Sequence, residues 1–177
     1  MTLQTSMDVR NYIALYTAVY NFCTAQKTVR TAHLRGEDIY LALRKYLKQY
    51  LSQLRDSSSK RTNEALLTFF VDEWERYRFA STYIKGIFRK LDQMWIQRQR
   101  DEGKKGVLYV SDMLLVQWKE IMFDFLHQSA MEAVLELVRR QRTGQLVGYS
   151  DIRKFINMFS RSHCQFRSTR SNSSQSR

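Results

Sequence analysis

Proline is absent from this 177-residue chain, and glycine occurs only six times. Strand-rich folds spend both residues on turns, so their scarcity argues against hairpins and for helices joined by short polar loops. Cysteine is scarce too. Cys23 and Cys164 make neither a disulfide framework nor the clustered spacing of a metal site. Cys23 falls on a helical apolar pattern and reads as a buried thiol in a reducing setting. His33, His127 and His163 lie on three separate segments without a carboxylate or cysteine at ligand spacing. No metal and no other cofactor is expected. No run of 18 apolar residues occurs, and the leading MTLQTSMDVR has no apolar centre. Neither an export signal nor a membrane span is expected.

Catalytic patterns are missing as well. GKKG at 103–106 lacks the spacing of a phosphate-binding loop and follows a helical pattern, not a strand. Asp72, Glu73 and Glu75 sit among basic residues on one helix surface and read as solvated charges, not as a general acid and base. The chain is therefore expected to be a binding or scaffold protein, not an enzyme. Acidic residues are outnumbered 17 to 29, giving a net charge of +12. The last 18 residues contribute Arg161, Arg167, Arg170 and Arg177 with no acid. This surplus suits either a solvated helical surface with a basic tail or a polyanion-binding face.

What is present is packing material: 44% hydrophobic residues, 13% of all residues being aromatic. The longest periodic stretch is WERYRFASTYIKGIFRKLDQMWIQRQR, 74–100. Phe79, Tyr83, Ile87, Leu91 and Met94 recur at helical steps, and Ile84, Phe88 and Trp95 widen the stripe. A helix of about 25 residues is roughly 38 Å long, enough for several shorter helices to lie against it. Gly86 is its one weak point.

The first helix is expected from a cap at Asp8 or Asn11 to about Thr24. It carries two stripes: Leu15, Val19 and Phe22, and beside them Tyr12, Tyr16 and Tyr20 with Ile13. Two stripes mean burial on two sides, or one core face and one partner face, and tyrosines suit a partner face because they offer large area with a polar tip. Residues 27–36 read as a polar connection before a helix opening at Glu37 and running through Ile39, Leu43, Leu47, Tyr50 and Leu54, with Arg44, Lys45 and Lys48 off its stripe. Residues 55–62 read as a loop. A short helix through Leu67, Phe70, Val71 and Trp74 is expected to bend near 74–78 into the long one. After a break at 101–106, helices are expected from Ser111 (Leu115, Trp118, Met122, Phe125), from Ser129 (Ala133, Val134, Leu137, Val138) and from Ser150 (Ile152, Phe155, Ile156, Phe159). The Ser/Arg-rich residues 160–177 read as disordered.

Five stretches, LYTAVYNFCT (15–24), FVDEWERYRFASTYIKGI (70–87), LDQMWIQRQRDEGKKGV (91–107), LVQWKEIMF (115–123) and AVLELVRRQRTGQ (133–145), closely resemble the amino-terminal repeats of the cullins. The similarity is greatest to the class that carries F-box receptors in SCF ubiquitin ligases. It covers about residues 10–147. The resemblance implies an all-α, cullin-repeat-like helical bundle or solenoid. One five-helix repeat without its first helix would occupy 9–102 and part of a second 107–159, flanked by a flexible 1–8 and the tail 160–177. It also implies a non-catalytic scaffold, cytoplasmic or nuclear. Its partner would be a BTB-fold Skp-type adaptor and, through it, F-box proteins. With no cullin homology domain in this sequence, no RING protein, no modification lysine and no ubiquitin transfer by this chain alone are expected. Since the family's adaptor surface uses the second and fifth helices of the first repeat, Tyr12, Ile13, Tyr16 and Tyr20 become its candidates here, with Lys90, Met94 and Gln97 on the later helix. A basic helical nucleic-acid binder is the alternative, and no membrane partner is expected.

Overall fold

The computed structural model describes residues 7–25, 29–145 and 150–158. Among the described residues every regular element is helical. Helix α1 is Val9–Thr24, α2 is Val29–Ser58 and α3 is Asn63–Ile87. Helix α4 runs as Arg89–Leu91, a π-helical turn Asp92–Ile96, and Gln97–Asp101. Helix α5 is built the same way, from Val110–Trp118, the π turn Lys119–Phe123, and Asp124–Arg142. A last helix, α6, covers 150–158. The expectations for residues 1–6, for Phe159 and for 160–177 lie outside the described residues.

The core is one cluster reaching from Tyr40 on α2 to Met158 on α6. Helix α3 is its axis. Leu67, Phe70, Val71, Trp74 and Tyr77 recur at helical steps, and all are buried. Against them lies α5, with Trp118, Met122, Leu126, Ala130, Ala133 and Leu137 buried. The first four of these are each four residues apart, too wide for a regular helix to keep on one face. The π turn Lys119–Phe123 inserts the extra residue that realigns them. For the same reason Phe125, expected inside, is 57% exposed while Leu126 is buried. In α4 the π turn likewise sends both Trp95 and Ile96 inward and leaves Met94 exposed.

Several boundaries differ from the sequence expectation. Helix α2 opens at Val29, not Glu37, so Gly36 lies inside it. A Cβ at Gly36 would drive into the Trp95 side chain, whose own Cβ lies at 2.7 Å. Gly36 is thus a close-packing residue, not a break. The same helix continues to Ser58, and in its last turn the hydroxyls of Ser57 and Ser58 donate to the carbonyls of Leu54 and Arg55 at 2.7 and 2.5 Å. Helix α3 passes straight through 74–78 and is interrupted only at Phe88 (φ −92°, ψ 11°), two residues after Gly86. Ser129 caps nothing, since Asp124–Arg142 is continuous.

The connection into α5 is stitched from two sides. Leu108 N–H donates to the Tyr40 hydroxyl at 3.1 Å, and Val110 N–H donates to Asp92 Oδ1 at 2.9 Å. Asp92, from the π turn of α4, thereby does the capping expected of Ser111. Its carboxyl is half-buried, and desolvation raises its pKa against the opposing pull of the Val110 hydrogen bond, with Asp112 adding to the rise and Lys85 lowering it. A carboxyl raised in the folded state binds more protons there than in the unfolded chain. Its contribution to stability is therefore present at low pH and is lost as pH climbs from the ordinary carboxyl range through the folded value. Asp92→Asn keeps the acceptor for Val110 and removes the charge. Its melting temperature at pH 7 is expected to equal or exceed that of the parent, and the acid-side gain should shrink in a melting series from pH 3 to 7. A clear loss at pH 7 would mean that the charge itself holds the cap.

Candidate partner-docking face

Helix α1 starts cleanly because the Asp8 side chain accepts from Arg10 N–H at 3.4 Å. It lies across α2, the end of α3 and the start of α4. Its docked line is Tyr12, Tyr16, Val19 and Cys23, spaced four, three and four apart; Val19 is buried and the other three are half-buried. The Tyr12 ring meets Tyr83 edge-on at 6.2 Å, and its hydroxyl occupies the space a Cβ at Gly86 would need. Gly86 thus admits Tyr12 to the surface of α3. Burial raises the Cys23 thiol pKa, with Lys90 partly opposing it.

The apolar arc of α1 is wider than this contact. At about 100° per residue, Ile13 and Tyr20 fall on one flank of the docked line, and Leu15 and Phe22 on the other. Ile13 is 55% exposed and Leu15 47%, and Tyr20 and Phe22 are exposed as well. The expected division of the helix is therefore redrawn. Leu15 and Phe22, one proposed stripe, face outward; Tyr12 and Tyr16 turn inward; Ile13 and Tyr20 remain outside. Sequence reasoning missed the outward Leu15 and Phe22, although the width of the apolar arc was the signal for them.

The structure brings one pair of candidates from separate helices together. Lys90 Nζ on α4 stands 5.4 Å from the centroid of the Tyr20 ring, which itself lies 6.1 Å from that of Tyr16. A lysine over a tyrosine face at the surface is worth about 0.5–1 kcal/mol, so it holds Tyr20 in place more than it stabilises the fold. Met94 follows Lys90 by four residues and is exposed. Gln97 is exposed too; it donates to Asp101 at 2.8 Å and accepts from the Tyr109 hydroxyl. Among the described residues, no three His, Cys, Asp or Glu side chains group closely enough to hold a metal ion, and no helix is long and apolar enough to cross a membrane. What α1 offers is apolar and aromatic area with a cation at its edge, which can bind a surface and has no group placed for bond-breaking.

A family model described as the cullin alpha solenoid domain matches residues 2–170. The chain belongs to the cullin family. It is 32% identical over 160 residues to cullin-1 of Dictyostelium discoideum, covering 84% of this chain and 21% of that protein. Cullin-1 of Caenorhabditis elegans is also 32% identical, over 162 residues, covering 80% and 21% respectively. Cell division control protein 53 of Saccharomyces cerevisiae is 31% identical over 152 residues, covering 80% of this chain and 18% of that protein. The cullin chain described here therefore spans about a fifth of the length of these relatives. It is a cullin amino-terminal repeat region related to cullin-1, an all-α scaffold segment that is not itself catalytic.

Proposed function

We propose that this cullin segment binds a Skp-type adaptor of the BTB fold, and through it F-box proteins, using α1 and the adjoining face of α4. The observation that carries this reading is the surplus apolar arc of α1. The helix is already docked by its central line, yet Ile13, Leu15, Tyr20 and Phe22 stay exposed on either flank. Large side chains left outside a completed helix contact mark a surface whose burial is completed by a partner. Tyr20 under Lys90, with Met94 and Gln97 farther along α4, extends that surface onto a second helix. In this reading Tyr12 and Tyr16 act through the positioning of α1 against Tyr83 and Gly86, and Ile13 and Tyr20 are the anchors. A standard protein interface buries about 1,600 Å² in total, with a few aromatic and apolar anchors carrying most of the energy.

Gel filtration of the purified chain mixed with a purified Skp-type adaptor tests it. A one-to-one complex eluting ahead of either component is expected. Separate elution with each at tens of micromolar would refute the reading.

A further inference from the structure

A second concave site lies on other elements. Between α2 and the first half of α5 runs an open groove of about 330 Å³. None of its lining residues belongs to α1 or α4, so it is distinct from the docking face above. Arg44, Lys45 and Lys48 of α2 form one wall, and all three are exposed. None of them forms an ion pair among the described residues. Leu41 and Ile121 supply apolar lining, and Leu41 is 50% exposed. Gln117 also lines the groove, is only 5% exposed, and has a buried side-chain carbonyl oxygen that meets no hydrogen-bond donor among the described residues.

A buried amide acceptor left unmet costs about 1–3 kcal/mol, so a fold retains one at some expense. A half-turn about the last side-chain bond exchanges the carbonyl and amino ends of Gln117, so the amide can offer an acceptor or a donor to whatever enters. A peptide backbone carries both complements. The cationic wall calls for carboxylates, and Leu41 with Ile121 calls for an apolar side chain between them. We propose that this groove binds an acidic, leucine-bearing peptide segment of a partner protein. Its backbone would meet Gln117 and its carboxylates Arg44, Lys45 and Lys48.

The other occupants fit less well. Nucleic acid would need aromatic platforms for its bases, and no aromatic residue lines the groove. Glu120, on the same lining, opposes a continuous phosphate backbone but can be skirted by spaced carboxylates. The chain's own tail is excluded by charge, since 160–177 holds four arginines and no acid.

Fluorescence anisotropy on the full chain tests the proposal with a labelled peptide of repeated Asp-Glu-Leu triplets and a neutral Asn-Gln-Leu control. Saturable binding of the acidic peptide alone is expected. Arg44→Glu with Lys48→Glu should weaken it about tenfold or more. The melting temperature should hold, since both side chains are exposed. Gln117→Leu should weaken binding yet leave the melt unchanged or higher, because it removes a buried unmet acceptor; a merely structural glutamine would show the opposite. Equal binding of the neutral peptide, indifference to the charge reversals, or no saturation at millimolar peptide would each overturn the proposal. Displacement by inorganic phosphate or by a single-stranded oligonucleotide binding more tightly at these residues would overturn it in favour of a small anion or nucleic acid. Ile13→Ala with Tyr20→Ala should leave this binding untouched, which separates its failure from failure of the adaptor reading.

Discussion

Trp118→Ala is expected to remove about 3–5 kcal/mol of stability, the range for deleting a large aromatic from a packed core. Trp118 is 1% exposed and joins α5 to α3 through three rings at once. It stacks on Phe70 at 6.1 Å with 6° between the planes, and meets Trp74 at 5.3 Å and Tyr77 at 4.8 Å. Alanine would leave a cavity bounded by all three. One of them is tied to α5 a second time: the Tyr77 hydroxyl donates to the Leu114 carbonyl at 2.8 Å, and burial pushes its pKa far above the usual phenol range, so it remains a donor. The indole N–H of Trp118, by contrast, is buried with no acceptor among the described residues. Trp118→Phe keeps a ring against Phe70 and discards that unmet donor, so its loss should stay under about 2 kcal/mol. Urea denaturation followed by circular dichroism avoids relying on the deleted fluorophore. Equal losses in the two variants would mean that ring packing is not what Trp118 contributes.

Much of this was legible from the chain. Missing proline and recurring steps of three and four were enough to read an all-α fold, because helix periodicity depends on local spacing alone. The extent of α1 followed from a cap at Asp8 or Asn11 beside an apolar run, with Asp8 the one that caps, and five motifs between 15 and 145 were enough to name the family. What was not legible depended on contacts distant in sequence. Phe125 reads as core until a π turn five residues long shifts the register by one residue and puts Leu126 in its place. Gly36 reads as the end of a polar connection until Trp95, 59 positions on, takes the space its missing side chain leaves. Nothing beside Asp92 in the sequence marks it as a cap; the chain returns 18 positions later and Val110 donates to it. In α1, both stripes were visible, but which side docks is set by where Tyr83 and Gly86 stand on α3. The groove was the least legible of all. Arg44, Lys45 and Lys48 lie off the α2 stripe in any reading, and only the approach of α5 gives them a facing wall.

The redrawn face of α1 yields the second large expected effect. Ile13→Ala with Tyr20→Ala should lower adaptor affinity about a thousandfold, taking each as an interface anchor worth about 2 kcal/mol. Ile13 and Tyr20 are 55% and 40% exposed, so the isolated chain should lose little stability, chiefly the contact of Tyr20 with Lys90. Alanine also favours the helix, which keeps α1 formed. Tyr12→Ala makes the contrast. It strips the ring from Tyr83 and empties the space beside Gly86, so it should loosen α1 from α3 and weaken binding only through that loosening. The two variants therefore differ in the ratio of affinity lost to stability lost, read by titration calorimetry against the adaptor and by thermal melting of the free chain. A large ratio for the outward pair and a small one for Tyr12 is the signature of a docking surface carried on a positioned helix. If the outward pair melts as early as Tyr12→Ala, or binds adaptor as well as the parent, those side chains serve the fold or nothing, and the anchors of this cullin segment lie elsewhere.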